Sequence, residues 1–289
     1  MASIRQLKSR IRSVKNTKQI TKAMELVAAS KMRRAQEADK ASAPYTRTAN
    51  ELLTYFAQQG ITDEHPLFQI REVKKRLLIV IAADRGLVGA YNSNVFKAYV
   101  RELEVDKKAA ITNTSITVGR RVSQFATRIK GVELSGVYEG LPDQPNGAEL
   151  HAILDTAVSQ FEGGDVDAVD VVYTEFISSI NQRTVVKRVL PAGYTETEVS
   201  GNVRDALYEP NPRAVLDGVA YRLVQAQIFQ ALLDAKASEY SMQMIAMKNA
   251  TDNASELVDD LTIAMNKVRQ GAITQELAEI SGGVEALKE

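Results

Sequence analysis

The chain has 289 residues, 45% of them hydrophobic and 25% charged, with 36 Lys or Arg against 36 Asp or Glu and a pI near 6.8. It has no cysteine, which excludes disulfides and thiolate metal sites, and no run of about 18 apolar residues, which excludes a transmembrane helix. The balance of charge is uneven along the chain: residues 1–40 hold eleven Lys or Arg against Glu25, Glu37 and Asp39, so that end is strongly basic, the remainder is acidic, and the basic end is suited to an acidic partner, whether protein, nucleic acid or lipid.

The first predicted element is a helix from Ser3 to about Gln59. Ser3 is its N-cap, and Ile4, Leu7, Ile11 and Val14 step by three and four residues, marking one helical face. Ile20, Met24 and Val27 continue the stripe, turned slightly about the axis. Pro44 lacks an N–H and clashes with the preceding turn, so a kink or break is expected there. The helix resumes through Leu52, Leu53 and Phe56 and stops near Gly60. Its start is basic, amphipathic and free of acids up to Glu25, as a mitochondrial presequence is, but the helical pattern runs past Arg34 without interruption. The apolar stretch of a secretory signal is absent.

From about residue 75 to 191 the pattern alternates. Residues 77–83 (LLIVIAA) read as a buried strand, as do 114–118, 168–176 and 184–190, with a hairpin around Asn181 joining the last two. Helical segments fit at 94–103, 120–129 and 148–161. This spacing predicts a small, mostly parallel sheet with helices packed on it, a Rossmann-like α/β domain at 75–195.

The loop 84–94 (DRGLVGAYNSN) follows the first strand and opens a helix, the place where nucleotide loops sit. It lacks the Gly-Lys-Ser/Thr ending of a P-loop and has two glycines where a dinucleotide fingerprint needs three, so it reads as a tight strand-to-helix turn. His65 and His151 are far apart and read as exposed, with no carboxylate pattern for a metal. No nucleophile-elbow motif appears. The pair Asp259 and Asp260 reads as a solvated face, and Met244 and Met247 as helix packing. No catalytic residue, cofactor site or metal site is expected.

The last element is a helix from Asn211 to about Ile280, some 105 Å long at 1.5 Å per residue. From Leu216 a strict three-four alternation visits 219, 223, 226, 230, 233, 237, 240, 244, 247, 251, 254, 258, 261, 265, 268 and 272, and of these positions Gln230 and Thr251 alone are polar. That is a coiled-coil repeat. Its natural partner is the N-terminal stripe. The expected architecture is an antiparallel coiled coil of helices 1–59 and 209–289 around the inserted α/β domain, with the C-terminal helix outreaching its partner.

Lys8, Arg12, Lys15, Lys18 and Lys22 form an outer basic stripe on the first helix, without interleaved aromatics for bases to stack upon. Pattern alone leaves open a basic coiled coil that binds nucleic acid or acts as a scaffold.

Residues 15–32 (KNTKQITKAMELVAASKM), 84–94, 207–210 (LYEP), 245–254 (IAMKNATDNA) and 268–280 (VRQGAITQELAEI) resemble the signatures of F-type ATP synthase gamma subunits. The resemblance covers essentially the whole chain and is weakest over about 120–205. It implies a non-catalytic central stalk of a proton-translocating ATP synthase, present once per hetero-oligomeric complex. The coiled coil would stand inside a ring of alpha and catalytic beta subunits, the α/β domain would lie near epsilon and the membrane c ring, and no cofactor or nucleic acid would be bound. By match to the family motifs, Met24, Lys31, Arg85, Arg269, Gln270, Thr274 and Glu276 would touch the ring, and Tyr208 would lie near the c ring or epsilon. Charge thins from Gly271, and Ala272, Ile273, Leu277, Ile280 and Val284 would make a smooth tip. Gln243 stands where many members carry Arg. The regulatory cysteine insertion of chloroplast members is missing, and together with the missing transit peptide this implies a peripheral protein on the cytoplasmic face of a bacterial plasma membrane.

Overall fold

The computed structural model describes residues 3–63, 65–142, 147–193 and 196–286, with the side chains of 39–47, 147–149 and 282–286 set aside. The elements run α1 (Ile4–Gln58), a 3-10 turn (Pro66–Phe68), β1 (Lys75–Ile81), α2 (Tyr91–Lys108), β2 (Thr112–Val118), α3 (Arg120–Ala126), β3 (Glu133–Tyr138), α4 (Gly147–Glu162), β4 (Ala168–Phe176), β5 (Gln182–Leu190), α5 (Gly201–Arg204) and α6 (Pro212–Ala286). They fall into two compact units, one of residues 1–27 and 244–289, the other of residues 28–243.

Local chemistry sets the ends of the long helices. Ser3 and Gln6 form a capping box: the Gln6 N–H donates to Ser3 Oγ at 3.3 Å, and the Ser3 N–H to Gln6 Oε1 at 2.9 Å. At the other end of α1, Gly60 takes φ +68°, the Gly60 N–H donates to the Ala57 carbonyl and the Ile61 N–H to the Phe56 carbonyl. That is a Schellman closure, which needs the left-handed residue that glycine supplies. Asn211 Oδ1 accepts the Ala214 N–H at 2.9 Å and caps α6, with Pro212 in the first helical position, where its missing N–H costs nothing.

The helix does not stop at Pro44. A proline in a helix interior costs ~3 kcal/mol, and here α1 continues through it, with Ala35 buried before it and Ala49, Leu53 and Phe56 buried after it. The inward face of α1 also differs from expectation. Ile20 and Val27 are 60% and 55% exposed. Leu7, Thr21, Ala28, Ala35, Ala49 and Phe56, all at multiples of seven, are buried, and Val14, with Ile4, Ile11 and Met24 beside them, is half-buried. On α6 no position of the three-four series is exposed from Leu216 to Val268, and from Arg269 to Ser281 every residue is.

In the unit of residues 28–243, Lys31 lies over the Tyr240 ring at 5.4 Å, while Ala49, Leu53 and Phe56 cluster with Leu216 and Leu223. Numbers rise on one helix as they fall on the other, so the pair is antiparallel. In the other unit Thr21 Oγ1 and Thr251 Oγ1 share a buried hydrogen bond at 2.8 Å. Thr251 is one of the two polar positions of the heptad series, with Gln230, and a polar pair in such a seam favours one register over its slipped alternatives.

Among the described residues the strands form one sheet of order β3-β2-β1-β4-β5. β1 pairs in parallel with β2 (Lys75 opposite Thr112, Ile81 opposite Val118) and with β4 (Arg76 opposite Ala168), β2 pairs in parallel with β3, and β5 returns antiparallel to β4. Leu77, Ile79 and Ile81 point to the face covered by α4 and α6. Leu78 and Val80 point to the face covered by α2 and α3. This alternation is the period of two of a strand covered on both sides.

Strand β3 went unpredicted, α2 extends beyond the expected segment at both ends, and α3 is shorter than expected. His65, expected to be exposed, is 9% exposed. Its Nδ1 accepts the Leu67 N–H at 3.2 Å, which leaves Nε2 to donate to Asp217 Oδ1 at 3.2 Å.

At the start of β1, on the α2 face, lies a buried ionic network. Arg76 pairs with Asp170 on β4, with Glu102 at 3.0 Å and with Asp106 at 3.0 Å, and Asp170 also takes Arg188. Burial opposes the Arg76 charge, but the carboxylates, Asp170 first, outweigh it and raise its pKa.

Candidate functional site

The sheet order puts β1 between β2 and β4, with connections leaving to opposite faces. The crevice past the strand ends at such a switch point is where open α/β folds hold ligands. Here the loop 84–94 serves the fold. Asp84 Oδ1 accepts the Arg120 N–H at 2.9 Å and the Gly140 N–H at 3.0 Å, so one carboxylate ties together the loops that follow β1, β2 and β3. Asn92 Oδ1 accepts the Ala83 N–H at 3.0 Å, and its Nδ2 donates to the Arg85 carbonyl at 3.4 Å. Leu87 and Gly89 take φ +65° and +57°, the left-handed residues of a tight turn.

Helix α6 supplies much of the crevice wall. Leu232, Ala235, Lys236 and Glu239 approach Ile81, Val118 and Gly119 and leave a void of only about 10 Å³. Lys236 Nζ pairs with Glu239 at 3.2 Å, both largely buried. Tyr91 is fully buried nearby, and burial first, then Glu239 and Tyr240, raise its pKa well above the ordinary value. Outside this plug a cleft of about 300 Å³ remains, walled by Lys31, Asp84, Arg85, Arg120, Glu239 and Tyr240 among others. The structure thus brings together two residues from distant parts of the sequence, Lys31 and Arg85. Gln243 lines the same cleft.

The other site residues lie elsewhere. Tyr208 is half-buried, stacks on Tyr55 with ring centres 5.8 Å apart, meets Phe56 edge-on at 5.1 Å and donates its hydroxyl to the Val203 carbonyl. Its neighbour Leu207 is 92% exposed. Met24 is half-buried on α1. Arg269, Gln270, Thr274 and Glu276 are exposed on the last turns of α6, and Thr274 donates to the Gln270 carbonyl at 2.9 Å. Arg269 and Glu276, seven residues apart, share one helical face, and Gln270 and Thr274 share the next. Ala272, Ile273, Leu277 and Ile280 are exposed there as well, whereas the Val284 side chain lies outside the described residues. The five basic residues of the α1 stripe are all exposed. Among the described residues, no group of three His, Cys, Asp or Glu is placed to hold a metal ion, and no helix is long and apolar enough to cross a membrane.

Comparison with known proteins agrees with this geometry. The ATP synthase family model matches residues 3–287. The ATP synthase gamma chain of Glaesserella parasuis serovar 5 (strain SH0165) is 39% identical over 289 residues, covering 99% of this chain and 100% of that one. A chain of the central stalk/c-ring structure of the Tetrahymena thermophila mitochondrial ATP synthase superposes with a TM-score of 0.59 at 22% identity, over 80% of this chain and 99% of that one. A chain of the Euglena gracilis mitochondrial ATP synthase, in the OSCP/F1/c-ring structure of rotational state 3, reaches 0.67 at 20% identity, over 98% and 94%. These structures share the fold. The alternative of a nucleic-acid-binding or scaffold coiled coil finds no support among the comparisons. The chain belongs to the ATP synthase gamma-chain family.

Proposed function

We propose that this chain is the rotating central stalk of an F-type ATP synthase, a non-catalytic subunit that couples ion flow through a membrane c ring to ATP synthesis or hydrolysis at the beta subunits. Segments 1–59 and 209–289 act as the shaft and 75–195 as the head. One copy stands inside a ring of alpha and beta subunits, with epsilon and the c ring at the head, peripheral to the cytoplasmic face of a bacterial plasma membrane. The observation that carries this reading is the burial profile of α6: an unbroken coiled-coil face to Val268, then exposure on every side from Arg269 to Ser281. A helix that leaves its partner while keeping apolar residues such as Ile273, Leu277 and Ile280 in the open is suited to a sleeve supplied by other subunits.

Two kinds of ring contact follow. The basic stripe, Lys31 and Arg85 offer exposed or half-exposed charge, worth ~0.2–1 kcal/mol per pair, which guides a sliding surface without locking it. Arg269, Gln270, Thr274 and Glu276 offer directional hydrogen bonds in a narrow sleeve, where a stranded partner costs ~1–3 kcal/mol. Gln270→Leu is therefore expected to lower steady-state ATP hydrolysis by the reconstituted complex roughly tenfold to hundredfold, and Arg85→Ala by roughly fivefold at most. Arg85 is the cleaner test of the sliding class, because Lys31 also packs over Tyr240. With equal subunit content, an inactive Arg85 variant beside a normal Gln270 variant would overturn the division.

A further inference from the structure

We propose that Ser238, Ser241 and Gln182 form the joint that fixes α6 to the α/β domain, so that torque passes between head and shaft at this point; the proposal rests on the rotor reading above. The face of α6 that lies on the sheet runs through Ala220, Val224, Ile228, Ala231 and Ala235, all buried in the core beneath the sheet. Apolar contact is non-directional, and a stripe with three alanines offers little to stop a helix from sliding along its axis or turning about it. The next step of the same stripe is Ser238. Its hydroxyl donates to the Thr174 carbonyl on β4 at 3.0 Å. About one turn further on, Ser241 donates to the Ser179 carbonyl at 2.6 Å and accepts from Gln182 Nε2 at 3.0 Å. Both serines are 0% exposed.

Ser and Thr inside helices commonly return their hydroxyl to the carbonyl four residues back, and Thr251, Ser255, Thr262 and Thr274 do so on this same helix. A hydroxyl has one proton to give. Ser238 and Ser241 give theirs to the neighbouring strand and hairpin instead. The receiving end is braced: the Ser178 and Ile177 N–H groups donate to the Asn181 carbonyl, the Asn181 N–H donates to Ser178 Oγ at 3.0 Å, and Gln182 Nε2 also donates to the Ser178 carbonyl at 2.9 Å. Hydrogen bonds weaken steeply away from linearity, so three of them at the end of a smooth apolar stripe fix both the height and the azimuth of the helix.

The test uses the complex with its alpha–beta ring held on a surface and an optical probe on the head, attached at Lys108→Cys. Lys108 is exposed at the end of α2, and the introduced thiol is unique in a chain without cysteine. Without nucleotide, the angular variance of the probe reports the compliance between head and ring. Ser238→Ala/Ser241→Ala, which suits a helix interior and keeps the chain folded, is expected to raise that variance by roughly half or more. Thermal stability falls as the loss of buried hydrogen bonds requires, but Asp170→Ala, destabilised through the opposite face of the sheet, should leave the variance unchanged, a split that a merely structural role would not give. Gln182→Met, which removes the bond to Ser241 together with the brace to the Ser178 carbonyl, should fall between. Variances equal to the unsubstituted complex, in a complex whose probe still turns on addition of ATP, would overturn the joint alone. A probe that stays still with ATP in the unsubstituted complex would overturn the rotor reading and the joint with it.

Discussion

Gly119→Ala is expected to destabilise the α/β domain by about 2–6 kcal/mol, through backbone strain and a clash that cannot relax. Gly119 takes φ +105° at the end of β2, and a Cβ there would sit 2.1 Å from the Ala82 carbonyl oxygen and 2.8 Å from its carbon. Both contacts are backbone, held by the β1–β2 ladder, so neither neighbour can step aside. The Gly119 N–H also donates to the Tyr138 carbonyl, and the Ala82 N–H to the Val118 carbonyl, which locks β1, β2 and β3 together at this place. Gly131→Ala is the control. Gly131 has φ +83° but open space around it, so it should lose only ~1–2 kcal/mol, the cost of the left-handed backbone alone. Urea unfolding followed by circular dichroism distinguishes the two, and equal losses would contradict the steric account.

Asp170→Ala is expected to cost about 3–5 kcal/mol, the usual penalty for breaking a buried ion pair from one side. Asp170 is 2% exposed and holds both Arg76 and Arg188. Its removal leaves Arg76 shared between Asp106 and Glu102 and takes from the sheet its link between β1, β4 and β5. Glu175→Ala removes a pair of similar geometry, Arg183 to Glu175 at 2.9 Å, in an exposed setting, and should cost ~1 kcal/mol or less. Denaturant midpoints of the two variants are the measurement. A Glu175 variant as unstable as the Asp170 variant would show that burial is not what gives the network its weight.

The parts of this fold that the sequence made legible are those with a long period. The seventeen positions of the α6 repeat are buried or half-buried as the pattern expects, except the last, Ala272, which lies in the exposed stretch past Val268. Strand β4 was found residue for residue because its run is apolar, β-branched and covered on both faces. The N-terminal stripe departs from the expectation at Ile20 because Ile20 and Val27 are apolar there yet exposed. The seam instead continues in strict sevens through Thr21, Ala28 and Ala35, small or polar residues with little weight in a hydrophobicity count. Strand β3 escaped for a related reason. It is an edge strand reading ELSGVY, and its Gly136 makes room for the Tyr138 ring, to which a Cβ would approach within 2.9 Å.

At the sites, legibility stops where partners are distant in the chain. The loop 84–94 could be read as a turn, but Asp84 could not be seen to tie three loops, since the N–H groups it accepts belong to Arg120 and Gly140. His65 reads as exposed because Asp217, its partner, is some 150 residues away. Nothing local marked Ser238 and Ser241 as different from the other hydroxyls of α6.

The central claim, that this chain turns inside a ring and carries the coupling mechanically, is tested most directly by watching it turn. The complex is immobilised through its alpha–beta ring, an optical probe is attached at Lys108→Cys, and ATP is added. The expected result is sustained rotation of the probe in one direction at a rate that follows ATP concentration. ATP hydrolysis at a normal rate beside a stationary probe, in complexes that contain the chain, would contradict the account.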